Sequence, residues 1–421
     1  MSGTITFPPN PTDGQLYTAG GVTWQWHANP GVWVNANTGT NFLALSGGTM
    51  TGAITLPGNA TQPLQATPLQ QVVPIAGGTM TGALTLSGNA ATALQATPLQ
   101  QVNATVAPAF NDVGRNVLNN ATFLVAQRGV GPFVTNAGAF AYTADRWLAS
   151  TAGGAAGDNL QTTLAAASDT NRSQIGDEAA QTLLSATFTG GGTGSTISMI
   201  QRIENVRRLA NRTVTLSFYA NAGTALNLGA TLAQVFGAGG SPSPTVQLTP
   251  QTVTLLAAAA FARYSMTFTM PSVAGKTFGT TAGSDYTQLA FYYSAQGTPS
   301  IGNQSGTINL WGVQLEVGSV ATPLDYGGSP QQQLADCQRF YQTGTLVNAA
   351  YQVAGQTVGA ASILLVQMRT APSVSTAGTP SDSNVGSLGF GSNPQMVQLT
   401  GTATGTGSWI IAHSFAATAD L

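Results

Sequence analysis

Gly47-Gly48-Thr49-Met50-Thr51-Gly52-Ala53-Ile54-Thr55-Leu56 is followed, at an offset of 30 residues, by Gly77-Gly78-Thr79-Met80-Thr81-Gly82-Ala83-Leu84-Thr85-Leu86. The likeness extends over Leu45–Val72 and Ile75–Val102, where 21 of 28 positions agree. Met50, Leu56, Leu64 and Leu69 return as Met80, Leu86, Leu94 and Leu99. A unit with so few large side chains cannot bury enough surface to fold alone, and repeats of this length become stable by stacking. Two copies are too few for one chain, so the missing contacts are expected from other chains, three identical copies winding about one axis. Alternation from Met50 to Leu56, with Gly and Thr at fixed places, predicts short strands and tight turns. Residues 41–110 therefore read as a thin, intertwined β shaft in a homotrimer, with Met50 and Met80 as structural positions. The competing reading, a low-complexity linker, does not account for the reuse of Met, Leu and Pro positions.

Composition sets wider bounds. At roughly 100–200 residues per domain, 421 residues predict two to four structural units. Charged residues make up 6% of the chain, against about 25% in ordinary soluble proteins. Hydroxyl, amide and backbone groups therefore solvate the surface. The 51 Gly and 21 Pro point to an all-β protein of short strands and turns. A net charge of -2, with Lys276 the single lysine, gives no basic stripe and no footprint for nucleic acid. The single cysteine, Cys337, excludes an internal disulfide and a thiolate zinc cluster. No ligand set for a metal and no cofactor motif is evident. Met1 to Thr6 has neither a basic flank nor an apolar core, and the longest apolar run, 255–262, falls short of the about 20 residues that cross a bilayer. Synthesis in a cytoplasm is expected.

In residues 1–40, Tyr17, Trp24, Trp26 and Trp33 are separated by Gly20-Gly21 and Pro30-Gly31. That pattern predicts two or three short strands, with Trp24 and Trp26 on one face. The rings form either the whole core of a mini-domain or a platform for a sugar; His27 reads as a turn residue. Residues 111–328 read as a β-sandwich. Val214 to Ala220 is apolar at even positions, Trp311 to Val317 at odd ones, and Tyr264 to Met270 and Leu289 to Tyr293 alternate likewise. Trp147 and Trp311 are expected in the core, and Asp145, Arg146, Arg202 and Glu204 as paired ions that fix strands. Ser329 as cap, Pro330 in the first turn and Gln332 three places after the cap predict a helix over 329–342 that buries Cys337 as a joint. Residues 343–421 alternate again, in 361–368 and 408–415, and read as a distal β domain.

Several phrases, taken together, resemble known proteins. The Gly-Gly-Thr-Met-Thr-Gly repeat resembles the shaft repeat of bacteriophage tail fibres, although Ala66-Thr67-Pro68-Leu69-Gln70-Gln71-Val72 replaces the Lys, Tyr and Asp frequent there. Asn116 to Asn120 with Gln127-Arg128-Gly129, Tyr142 to Trp147, Gln201 to Glu204, Leu310 to Gly318, Asp336 to Tyr341 and Met368 to Pro372 resemble the carbohydrate-binding, jelly-roll-like head of a tail-fibre family. The resemblance covers residue 45 to about 375. It implies a virion tail fibre whose N-terminal region docks on a phage tail or baseplate protein, and whose sandwich or distal domain meets a host cell-surface polysaccharide.

The chemistry expected is binding rather than catalysis. A glycosidase needs two carboxyl groups roughly 5 to 10 Å apart across the scissile bond, and the only adjacent acidic pair is Asp177-Glu178. His27 and His413 are far apart, and neither G-x-S-x-G nor H-E-x-x-H occurs. Gly190 to Ser195 and Gly237 to Gly240 lack the Lys of a phosphate loop and read as β connections. Sugar binding needs an outward aromatic ring amid amides and hydroxyls. Tyr219 and Tyr292, opposite their strands' core faces, are the candidates, with chain contacts or burial beneath a loop as the alternative. Tyr351, Trp409 and His413 are the distal candidates. The expected function is host adsorption by non-covalent recognition of a glycan, with a polysaccharide depolymerase and a purely structural tail adaptor as alternatives.

Overall fold

The computed structural model of the chain describes residues 4–36 and 115–421, apart from 154, 258–259 and 298–300. The predicted shaft, Met50 and Met80 included, lies outside them. The chain divides into two compact units, Met1–Ser87 and Gly88–Leu421.

In the first unit, β1 (Leu16–Ala19), β2 (Val22–His27) and β3 (Val32–Asn35) form an antiparallel sheet in that order. Phe7 lies in the middle of its aromatic cluster, stacked on Trp33 at 5.1 Å between ring centroids and edge-on to Trp24 at 5.6 Å. Trp26 reaches Trp33 from the neighbouring strand at 5.6 Å. His27 ends β2 rather than sitting in the turn, and its carbonyl accepts the Gly31 N–H.

The second unit opens with two antiparallel sheets. The first runs β14 (Ala262–Thr269), β10 (Thr213–Ala222), β16 (Ser305–Val317), β8 (Thr182–Thr189), β7 (Asn159–Ala166), β4 (Phe133–Asn136). The second runs β12 (Val246–Gln247), β11 (Leu226–Val235), β15 (Tyr286–Ala295), β9 (Thr196–Glu204), β6 (Leu148–Ser150), β5 (Phe140–Tyr142), with β13 (Gln251–Leu255) also on β11. Alternation builds the layer between them: Val214, Leu216, Phe218 and Ala220 meet Leu289, Phe291 and Tyr293, with Trp147 in the same core. Strand β16 departs from strict alternation. Ile308 and Leu310 face the core, but so do Val313 and Leu315, because the register with β10 shifts by one residue around Gly312, whose φ is +58°. This β-bulge turns Trp311 to the opposite face. Trp311 is buried as expected, but not in the core between the sheets.

The segment 115–125 is zipped along β16. Val117 N–H donates to Leu315 O and Val313 N–H to Ala121 O, both at 3.0 Å. The Asn116 side chain bridges the Val313 carbonyl and the Leu315 N–H, and the Asp325 carboxylate accepts from the Arg115 and Asn116 N–H groups. Arg115 pairs with Glu316 at 3.1 Å.

Two helices flank the sandwich. Helix α1 (Asp169–Ile175) starts at a capping box in which Ser168 and Asn171 bond reciprocally. Helix α2 (Pro330–Gln338) has Ser329 as its cap, accepting the Gln332 N–H, and buries Cys337. The Gln332 side chain does not close a capping box. It bonds Asp336 at 2.9 Å. Burial pushes the Cys337 thiol pKa upward, which keeps it protonated and inert.

After α2 come two three-stranded sheets: β17 (Tyr341–Gln352), β22 (Gly407–Thr418), β19 (Ser373–Ala377), and β18 (Thr357–Ile363), β21 (Met396–Ala403), β20 (Val385–Asn393). Leu346, Val358, Val397, Leu399, Trp409, Ile411 and Phe415 fill the space between them.

An ionic joint holds this part to the sandwich. Arg128 reaches Asp420 at 2.5 Å and lies 3.9 Å from Asp145. Arg146 lies 3.6 Å from Asp420 and stacks on Phe340 at 3.4 Å. Glu204 accepts from Arg339 and lies 3.5 Å from Arg369, and Arg202 donates to the Leu421 carbonyl. Arg128, Asp145, Arg146, Arg202 and Glu204 of the sandwich all meet at this joint. Arg146 takes a left-handed φ of +71°, a conformation costing on the order of 1–3 kcal/mol that surrounding contacts must hold in place.

Candidate functional site

The outer face of the seven-stranded sheet carries the most complete ligand-like surface. On β15, Leu289, Phe291 and Tyr293 point into the core, which sends Ala290 and Tyr292 outward. Register then assembles two rows across the sheet. One runs Tyr142, Leu148, Ile200, Ala290, Thr231; the other runs Phe140, Ser150, Ser198, Tyr292, Gly229. With strands about 4.8 Å apart, five strands span roughly 19 Å, a length suited to an extended oligosaccharide. Leu148, Ile200 and Ala290, all buried, pack between the half-buried rings of Tyr142 and Tyr292. Phe140, 58% exposed, stands at the edge beside the Ser150 and Ser198 row. Gly229, across from Tyr292, presents no side chain. Burial raises the Tyr292 hydroxyl's pKa, and a hydrogen bond with Gln247 opposes that shift while fixing the ring. The Tyr142 hydroxyl donates to the Leu421 carbonyl, which fixes the second ring. Rings held in advance lose little freedom when a ligand stacks on them.

The other sequence candidates lie elsewhere. Tyr219 points away from the core, as expected, but its ring lies 5.6 Å from Trp311 within a cluster with Ile175, Phe261, Leu324 and Tyr326. Helix α1 and the 320s loop cover that face. On the distal sheets, Tyr351 is 69% exposed. Trp409 is not an outward ring: it is 4% exposed, because β22 turns Trp409, Ile411, His413 and Phe415 to the inside together. His413 is likewise 6% exposed, and its Nε2 bonds Asp382. The structure thus leaves Tyr292 on an aromatic face and Tyr351 by itself. Sequence reasoning missed Phe140 and Tyr142, which sit in a three-residue strand too short to show alternation.

The carboxyl groups with perturbed pKa values, Asp145 and Asp420, lie at the ionic joint. Asp145 and Asp420 are raised chiefly by burial, with the Arg128 charge pulling the other way. Perturbed carboxyl groups often mark catalytic sites, yet these two are almost wholly inaccessible to a substrate. Other carboxylates are committed to structural bonds: Asp158 to the Gly191 N–H, Asp177 to Tyr326, Asp325 to Arg115 and Asn116, Glu316 to Thr322. Glu178, the other half of the acidic pair, is exposed and lies 3.8 Å from Arg172. Among the described residues, no group of three or more His, Cys, Asp or Glu could hold a metal ion, and no helix is long and apolar enough to cross a membrane.

No protein-family model and no curated protein matches the chain. Among solved structures it is similar to a CBM4 structure, 20% identical over 48% of this chain and 99% of that one, with a TM-score of 0.29. It is similar to a family 11 carbohydrate-binding module from Clostridium thermocellum in complex with a mixed-linked tetrasaccharide, 10% identical over 42% and 91% of the two chains, with a TM-score of 0.27. The enzymatically active domain of tailspike protein 4 of Bacteriophage CBA120 is 12% identical over 48% of this chain and 22% of that one, with a TM-score of 0.28.

Proposed function

We propose that this chain is a bacteriophage tail fibre protein that mediates host adsorption by non-covalent recognition of a cell-surface glycan on the outer face of the seven-stranded sheet. The observation that carries the reading is the Tyr292 face: two fixed, half-buried tyrosine rings on either side of a packed apolar row, with Phe140 exposed at its edge. A pyranose has an apolar face for the ring and hydroxyls for its surroundings. The shaft repeat supports the tail-fibre context, with three chains winding together, the N-terminal unit docking on a tail or baseplate protein, and the mature protein residing in the virion. Three chains per fibre multiply weak single sites into useful avidity. Engagement of the acidic residues in structural bonds supports a binding role without cleavage.

The test takes the purified chain. Light scattering is expected to give three times the 42.7 kDa chain mass, and the same sample should bind host cells until their surface glycan is stripped. Equal binding to stripped cells would overturn glycan recognition. A monomer would overturn the intertwined shaft, and release of reducing ends from host polysaccharide would replace attachment with depolymerisation.

A further inference from the structure

A cavity of about 310 Å³ opens on the flank of the sandwich, lined by Thr122, Leu124, Gln181, Thr182, Tyr326 and Gln333. None of these residues belongs to the Tyr292 face. Three separate stretches of chain build it: the segment along β16, the start of β8, and the loop leading into α2 with the helix's second turn. Its size is at the lower end of the roughly 300–1,000 Å³ typical of small-molecule sites. That volume suits a single sugar-sized ring rather than a polymer.

The lining is amphipathic and carries no formal charge. Leu124 and Tyr326 supply apolar surface, and the other four side chains supply hydroxyls and primary amides. Gln333 is 5% exposed, yet its two bonds, from the Thr122 hydroxyl to its Oε1 and from its Nε2 to the Gly328 carbonyl, are both 3.4 Å long. A buried amide ordinarily makes bonds of about 2.7–3.2 Å, and it offers two donors and an acceptor with two lone pairs. Gln333 therefore retains capacity for a partner with both donors and acceptors. The Tyr326 hydroxyl already donates to Asp177. That bond fixes the ring, which meets Trp311 edge-on with centroids 6.4 Å apart. It also leaves a carboxylate beside the cavity that would repel an anionic guest.

Resting on the glycan-binding reading above, we infer that this cavity is a second saccharide site that takes one neutral pyranose, a terminal or branch sugar, with Tyr326 against its apolar face and Thr122, Gln181, Thr182 and Gln333 bonded to its hydroxyls. A sugar ring would replace the water in this cleft, with its hydroxyls toward the amides and hydroxyls and its apolar face toward Leu124 and Tyr326.

Saturation-transfer NMR on the full chain tests this with the methyl glycosides of glucose, galactose, mannose and N-acetylglucosamine, and with methyl glucuronide as the anionic counterpart. At least one neutral glycoside is expected to give saturable transfer. Its affinity should fall about tenfold or more in Gln181→Trp, which fills the rim from an exposed position, and severalfold in Thr182→Val, which keeps the shape and removes the hydroxyl. Tyr292→Ala should leave the monosaccharide signal intact while lowering retention of polysaccharide, so the two sites fail separately. Silence from all four neutral glycosides overturns the inference. So does a signal that survives Gln181→Trp and Thr182→Val, or a stronger one from the glucuronide.

Discussion

Tyr219 and Tyr292 occupy equivalent places on the two sheets of the sandwich, each one step out of phase with the apolar residues of its strand, yet they meet opposite fates. Strand β10 hands Tyr219 to a face on which Trp311, Leu324 and Tyr326 are already packed beneath α1. Strand β15 hands Tyr292 to a smaller cluster, Leu148, Ile200 and Ala290, that Gln247 and Tyr142 border and no helix covers among the described residues. Alternation along a strand fixes which way a ring points. What covers it is decided by segments far away in sequence, and only an uncovered ring is available to a ligand.

Four measurements would break or sharpen that contrast. The largest effect is expected from Trp311→Ala, which empties the covered face. Unfolding by denaturant should show a loss of about 3–5 kcal/mol, with polysaccharide affinity per folded molecule unchanged. Next is the reciprocal pair. Tyr292→Ala should weaken polysaccharide binding in affinity electrophoresis by about tenfold or more, equivalent to roughly 1.4 kcal/mol, with little change in melting temperature. Tyr219→Ala should do the reverse, costing about 2–3 kcal/mol of stability as a half-buried ring is lost. If both variants lose binding equally, the distinction between the faces is wrong. A smaller effect is expected from Gly312→Ala: the φ of +58° disfavours a side chain, and the added Cβ would meet Leu324 at 3.2 Å and Tyr219 at 3.3 Å. A destabilisation of about 1 kcal/mol, with altered fluorescence from Trp311, would tie the covered face to the bulge.

The smallest effect concerns pH. Burial holds the Asp145 and Asp420 carboxyl groups above their ordinary value of 3.8, so the folded chain keeps protons that the unfolded chain has released. Their contribution to stability is therefore greatest below that pH and declines as pH rises through the raised values. Melting curves of Asp420→Asn should show a flatter decline over that window. A slope equal to wild type would remove Asp420 from the joint's titration.

Much of the architecture was legible in the sequence because it rests on local patterns. The even-position run of β10 and the Ser329-Pro330 start of α2 are written in adjacent residues. Helix α1 was missed because its capping box uses Asn171 where Glu or Gln is usual. The bulge at Gly312 was missed because Trp311 continues the odd-position pattern of Val313 and Leu315, and a single inserted residue leaves no mark in hydrophobicity. The candidate site was legible only in part. Tyr292 followed from alternation, whereas Phe140 and Tyr142 reach the same face through register with β6 and β9. Trp409 was misplaced because β22 carries large residues on both faces, Ile410 outward and Trp409, Ile411 and Phe415 inward, and nothing in 408–415 says which parity faces in.

The zipper between 115–125 and β16 has a mechanical meaning. Tension that reaches the sandwich through residue 114 is transferred, by backbone bonds, by the Asn116 and Asp325 side chains and by the Arg115–Glu316 pair, to a strand in the middle of the six-stranded sheet. The rows around Tyr292 belong to the other sheet. The first sheet to take up such a pull is therefore the one that does not carry Tyr292.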